Sequence, residues 1–126
     1  MHSAQALSDL IEISSQVEVA VLFHLSGGTA VSTLADADRA EPLAEAAKRL
    51  LDAGEGARGA LAERPLTQLE VATRSGSVFV VREGDRAIAA TTGPEPTVGL
   101  VFYDLKSALR GIEENGESRS GTDAAA

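Results

Sequence analysis

Apolar positions along the chain switch between two periods, and the switches divide it into elements. Ala4, Leu7, Leu10 and Ile11 recur at steps of three and four. That spacing predicts an amphipathic helix from Ser3 to about Ser15, capped by Ser3, with Gln5, Ser8, Asp9 and Glu12 on its polar face. Val17, Val19, Val21, Phe23 and Leu25 then alternate with Glu18, Ala20, Leu22 and His24. One face is wholly apolar and the other half apolar, the pattern of a central strand covered on both sides. Ser26-Gly27-Gly28 offers the positive φ angles of a tight hairpin, and Thr29 to Leu34 supplies the return strand.

A longer helix follows the loop Ala35-Asp36-Ala37-Asp38-Arg39. Pro42 is tolerated in a first helical turn, which places the start between Asp38 and Pro42. Leu43, Ala46, Ala47, Leu50 and Leu51 lie along one side, and Arg64-Pro65 closes the segment. Its second half replaces large side chains with Ala53, Gly54, Gly56, Ala57, Gly59 and Ala60. A glycine in a helix costs about 1 kcal/mol relative to alanine, so this run needs a reason. Close approach of another backbone is one, and a frayed end leading into a loop is the other.

Leu66 to Arg74, Ser77 to Arg82 and Arg86 to Thr92 read as three strands, joined by the turn signals Ser75-Gly76 and Glu83-Gly84-Asp85. Gly93-Pro94-Glu95-Pro96 ends the sheet. Val98, Val101, Phe102, Leu105, Ala108, Leu109 and Ile112 then step at three and four residues, the cleanest helical stripe in the chain. Beyond Glu113 the sequence has no apolar face to bury, so residues 114–126 are expected to form a disordered tail after a single domain of residues 1–113.

Composition narrows what such a domain does. At 126 residues one domain is expected, and a core of this size is often supplemented by burying surface in a partner. Hydrophobic residues make up 44% but aromatics only 3%. The core is therefore aliphatic, without the stacked rings of single-strand nucleic-acid binders. A net charge of −8 with no basic run disfavours nucleic acid altogether. The chain has no cysteine, which removes disulfides, thiolate metal sites and Cys nucleophiles. Met1-His2-Ser3-Ala4-Gln5 opens without a basic region and apolar core, and no stretch approaches the roughly 18 apolar residues of a membrane span. A cytoplasmic protein without a transmembrane segment is expected.

The candidate chemical motifs each meet a simpler explanation. Gly54-Glu55-Gly56-Ala57-Arg58-Gly59 matches G-x-G-x-x-G, but it follows a helical run rather than the strand a dinucleotide fold requires. Ser26-Gly27-Gly28-Thr29 is read as a turn, since no Gly-Lys-Ser/Thr of a phosphate loop follows. His24 is the one histidine in a structured segment and lacks companion metal ligands. Ser14, Ser15 and Ser26 sit outside any Gly-x-Ser-x-Gly elbow, and no acidic pair stands out as an acid/base couple. Arg39, Arg49, Arg58 and Arg64 lie on or beside the long helix, where surface ion pairs such as those of Lys48 and Arg49 with Glu45 and Asp52 account for them. No catalytic residue, cofactor or metal is expected.

The order of elements, with Val17-Glu18-Val19-Ala20-Val21-Leu22-Phe23-His24-Leu25 running into Ser26-Gly27-Gly28, and Val98-Gly99-Leu100-Val101-Phe102-Tyr103-Asp104-Leu105 opening the last helix, resembles the roadblock (dynein light chain roadblock) family. The resemblance covers approximately Ala6 to Ile112. It implies an α+β fold of order αββαβββα, a roadblock/profilin-like sandwich. In it a five-stranded antiparallel sheet carries the long helix on one face and the terminal helices on the other. It also implies a non-catalytic homodimer formed through the long helix and the strand after it, here Leu43, Ala47, Leu50, Gly54, Ala57, Leu69 and Val71. Bacterial members of this kind regulate or scaffold Ras-like small GTPases, and the Ala-rich, acidic composition fits a bacterial setting. Glu45, Lys48, Arg49 and Asp52, beside the dimer helix, are the candidate partner-binding residues. Two other readings stay open: a small-ligand sensor with a pocket lined by Phe79, Phe102 and Tyr103, and a dimerisation adaptor without a GTPase.

Overall fold

A computed structural model describes residues 3–27, 31–33, 37–59 and 66–125, with side chains of residues 3, 37 and 113–125 outside the description. The elements are α1 (Ser3–Ile13), β1 (Val17–His24), β2 (Val31–Ser32), α2 (Ala37–Arg58), β3 (Gln68–Thr73), β4 (Gly76–Glu83), β5 (Arg86–Thr92) and α3 (Val98–Ala125). The expected αββαβββα order is observed. The strands form one antiparallel sheet in the order β2-β1-β5-β4-β3, so β1 pairs with the last strand and β3 is an edge. No helix among the described residues is long and apolar enough to cross a membrane.

Two layers cover the sheet. On one face α1 and α3 deliver Leu7, Leu10, Val101, Leu105, Leu109 and Ile112 onto Ala20, Leu22, Phe79, Val81, Ile88 and Ala90. On the other, Ala40, Ala44, Ala47 and Leu51 of α2 settle on Val21, Phe23, Val80, Ala87 and Ala89. Alternation of residues along each strand sends neighbours to opposite layers, which is why β1 is apolar on both sides. Phe79 meets Phe102 of α3 edge to face, with centroids 5.0 Å apart and planes at 75°.

Several boundaries differ from expectation, each for a physical reason. Val17 does not share the face of Val21 and Phe23. A bulge between Val17 and Val19 in the pairing with β5 changes its parity, and it is buried in the α1/α3 layer. The long helix starts at Ala37, a residue before the expected window, so Pro42 stands in its second turn on the exposed side. Its end comes at Arg58 rather than Arg64-Pro65, where Gly59 takes φ +59° and turns the chain out of the helix. Residues 60–65 lie outside the described residues, as do Gly28 to Ala30 and Leu34 to Asp36 of the expected turn, return strand and loop. The hairpins turn on Arg74-Ser75, with Gly76 at φ +155°, and on Gly84-Asp85, with Gly84 at φ +62°. A Cβ on Gly76 would stand 2.2 Å from Thr92 O. Helix α3 continues beyond Glu113 to Ala125, although the apolar stripe that ties it to the sheet ends at Ile112.

Candidate functional site

Helix α2 packs mainly over β1, β2 and β5, and its C-terminal end reaches the edge strand β3, where Gly54 lies against Leu66 and Leu69. Alternation puts Leu69 and Val71 on the sheet face that carries α2, since they pair with Val80 and Val78. Leu69 is half-buried against the α2 layer and Val71 is exposed. Among the described residues strand β3 pairs with β4 on one side only, leaving a row of backbone donors and acceptors on the other.

The α2 glycines have separate explanations. A Cβ on Gly54 would stand 2.5 Å from Leu66 Cδ2 and 3.6 Å from Leu69 Cδ2, so the missing side chain makes room for the segment entering β3. Gly56 faces open space, and Gly59 ends the helix. The stretch up to Arg58 is helical, so the frayed-loop reading does not describe it. The same helix end is fastened by Glu55, whose carboxylate accepts Leu66 N–H and pairs with Arg58 at 2.9 Å. The Leu66 bond first, and then the Arg58 bond, hold the Glu55 pKa below its ordinary 4.5.

The expected interface residues divide by position. Leu43 and Leu50 are half-buried on α2, Ala57 is exposed, and Gly54 is occupied by Leu66. Ala47 has no exposed surface and packs inward against the sheet, so it has no area to offer a second chain. Ala46 and Ala53, which the sequence reading left out of the interface, are exposed. Ala46, Leu50, Ala53 and Ala57 follow steps of three and four and form a stripe of mostly small side chains on the outer face. The signal was present in the sequence, but Ala46 and Ala47 are equivalent there until the sheet shows which of them points inward. Of the candidate partner residues, Glu45, Arg49 and Asp52 are exposed, and half-buried Lys48 pairs with Glu45 at 3.4 Å.

The other candidates resolve into structural roles. Asp85 at the tip of the β4–β5 hairpin accepts Ser26 N–H at 2.9 Å and Ser26 O–H at 2.7 Å, and its backbone carbonyl accepts Leu25 N–H. His24 Nδ1 lies 3.6 Å from Asp85 Oδ2. The Ser26 hydroxyl bond is the largest cause of a lowered Asp85 pKa. Because Ser26 donates to Asp85 rather than to His24, this trio ties the end of β1 to a hairpin and lacks the hydroxyl-to-imidazole bond of a nucleophilic triad. Ser14 is buried at the end of α1. Phe79 and Phe102 fill the space between sheet and α3, while Tyr103 points outward. Among the described residues no group of three His, Cys, Asp or Glu side chains is arranged to hold a metal ion.

A three-layer sandwich with one helix on one face of a five-stranded antiparallel sheet and two on the other defines the roadblock class of fold. The family model described as Roadblock/LC7 domain matches residues 4–92, and the chain belongs to that family. Solved structures share the fold. A Roadblock/LC7 domain from Streptomyces avermitilis is 20% identical, with 89% of this chain and 95% of that one covered and a TM-score of 0.78. Myxococcus xanthus MglB is 15% identical, with 92% and 95% covered and a TM-score of 0.73. The gliding protein MglB of Thermus thermophilus is 15% identical, with 84% and 82% covered and a TM-score of 0.65. No curated protein matches the chain by sequence.

Proposed function

We propose that this protein is a non-catalytic homodimeric module of the bacterial cytoplasm that binds a Ras-like small GTPase and regulates or scaffolds it. The observation that carries the reading is the approach of the C-terminal end of α2, with exposed Ala53 and Ala57, to the β3 edge, which has no second strand partner among the described residues. Two copies related by a twofold axis satisfy the β3 backbone by pairing edge to edge. Ala46, Ala53 and Ala57 allow the two α2 helices to approach closely. Family membership supports the GTPase assignment, and the likeness of the fold to two MglB proteins, one of them a gliding protein, supports the bacterial setting.

The GTPase surface is assigned to the exposed polar residues Glu45, Arg49 and Asp52, with Lys48 beside them. These lie on α2 itself, beside its small-residue stripe, and are duplicated across the proposed twofold. With no catalytic set assembled among the described residues, the module is assigned the role of positioning the GTPase's own catalytic groups. Affinity capture from native lysate, in parallel with GDP and a non-hydrolysable GTP analogue, tests this directly. A small GTPase retained in one nucleotide state, and lost with Arg49→Glu, is the expected result. Retention of no GTPase in either state contradicts it.

A further inference from the structure

On the sheet face opposite α2, helices α1 and α3 leave a furrow of about 350 Å³ between them. Gln16 Oε1 accepts Thr97 N–H at 2.5 Å. The bond sets the C-terminal end of α1 beside the N-terminal end of α3, so the two helices run antiparallel. Ala6, Leu10 and Ile13 line the furrow from α1, and Tyr103 and Ala108 line it from α3. Ile13 is 74% exposed and Tyr103 67%. Leu100, 49% exposed, continues the Tyr103 side by one turn. Two large apolar side chains standing in water on either lip of an apolar furrow are a feature of surfaces that receive a partner.

The shape and charge select the partner. Ala6 to Ile13 spans two helical turns, about 10 Å at 1.5 Å per residue, which suits a third helix presenting anchors at i, i+3 or i+4, and i+7. Among the described residues the charged ones on the furrow are Asp9 and Asp104, and no basic residue lines it. The half-buried Asp104 carboxylate has no hydrogen bond or ion pair among the described residues. A second copy docked through this face would set Asp9 and Asp104 against their own kind, and with a net charge of −8 an anionic membrane is repelled in the same way. We infer that the α1/α3 furrow is a docking site for an amphipathic helix of another protein, with apolar anchors and Lys or Arg flanks. It lies across the sheet from the proposed dimer and GTPase surfaces, so both faces can be occupied at once and the module can bridge two proteins.

A display library of helix-forming peptides without Trp or Tyr, selected on the full chain, tests this. Tyr103 is the single tyrosine and there is no tryptophan, so intrinsic fluorescence reports on the furrow alone. The expected winners carry apolar residues at i, i+3 or i+4, and i+7 with basic flanks. They change the Tyr103 emission and bind Ile13→Arg at least tenfold more weakly, with the melting temperature of that exposed-site variant unchanged. Asp9→Lys/Asp104→Lys then loses the preference for basic flanks. The inference is overturned by no enrichment, by winners without basic flanks, by binding that Ile13→Arg leaves intact, or by a change in oligomeric state in Ile13→Arg, which assigns the furrow to a second copy. None of these outcomes depends on a GTPase.

Discussion

The two faces of the sheet are built from different materials. The α1/α3 layer is a conventional core of Leu, Ile, Val and Phe, in which Leu7, Phe79, Ile88, Leu105 and Leu109 are fully buried. The α2 layer brings the small Ala40, Ala44 and Ala47 with Leu51 onto Val21, Phe23, Val80, Ala87 and Ala89, so its helix contributes less apolar side-chain area per buried residue. Hydrophobic stabilisation scales with that area. The first layer therefore supplies most of the stability of the fold. The second supports a helix whose outer side carries exposed Ala46, Ala53 and Ala57, the side assigned to the proposed assembly.

The sharpest way to break this contrast is to remove volume from the α1/α3 layer. Leu105→Ala is expected to cost about 2–5 kcal/mol in urea unfolding at fixed protein concentration. The corresponding Ala47→Gly deletes a single methyl from the α2 layer and is expected to cost about 1 kcal/mol, much of it helix propensity. Equal losses would mean that the layers are alike. Adding volume reverses the ranking within α2, since Ala47→Leu has no space to fill and is expected to destabilise by about 1–3 kcal/mol.

Smaller effects separate the α2 glycines. Gly56→Ala meets open space and is expected to stabilise by about 0.5–1 kcal/mol. At Gly54 the same change collides with Leu66 and is expected to yield no gain. A matching gain at both positions would remove the packing role assigned to Gly54. Glu55 supplies a pH test. Its folded pKa lies below its ordinary 4.5, so its stabilising contribution is complete above that value and fades as pH falls through the lowered one. Glu55→Gln should therefore flatten the acid limb of the stability profile and leave the slope above pH 5 unchanged. The smallest effect is expected from ending the chain after Glu113. With no apolar stripe beyond Ile112, removal of residues 114–126 should change stability by less than about 0.5 kcal/mol, which tests the proposed domain boundary at 1–113.

What was legible in the sequence follows from which interactions are local. The α3 stripe, β5 and the turn glycines were readable because period and φ preference are properties of adjacent residues. Val17 was assigned to the wrong face because a bulge alters parity through pairing with a strand some seventy residues away in sequence, which local alternation does not register. The reason for Gly54 resides in Leu66, and the role of Asp85 resides in Ser26, 59 positions distant. The outer face of α2 was half legible. A helix of alanines announces close packing, but Ala46, Ala47 and Ala53 are indistinguishable until the sheet fixes which side faces inward.

The proposal's central claim, that the alanine-rich α2 side is the assembling side, is tested most directly by sedimentation equilibrium. Wild-type protein should be compared with Ala53→Arg/Val71→Lys, both substitutions being at exposed positions. The account predicts a dimer at micromolar concentration for the wild type and a folded monomer for the variant, with far-ultraviolet circular dichroism unchanged. A monomeric wild type, or a variant that remains dimeric, contradicts it.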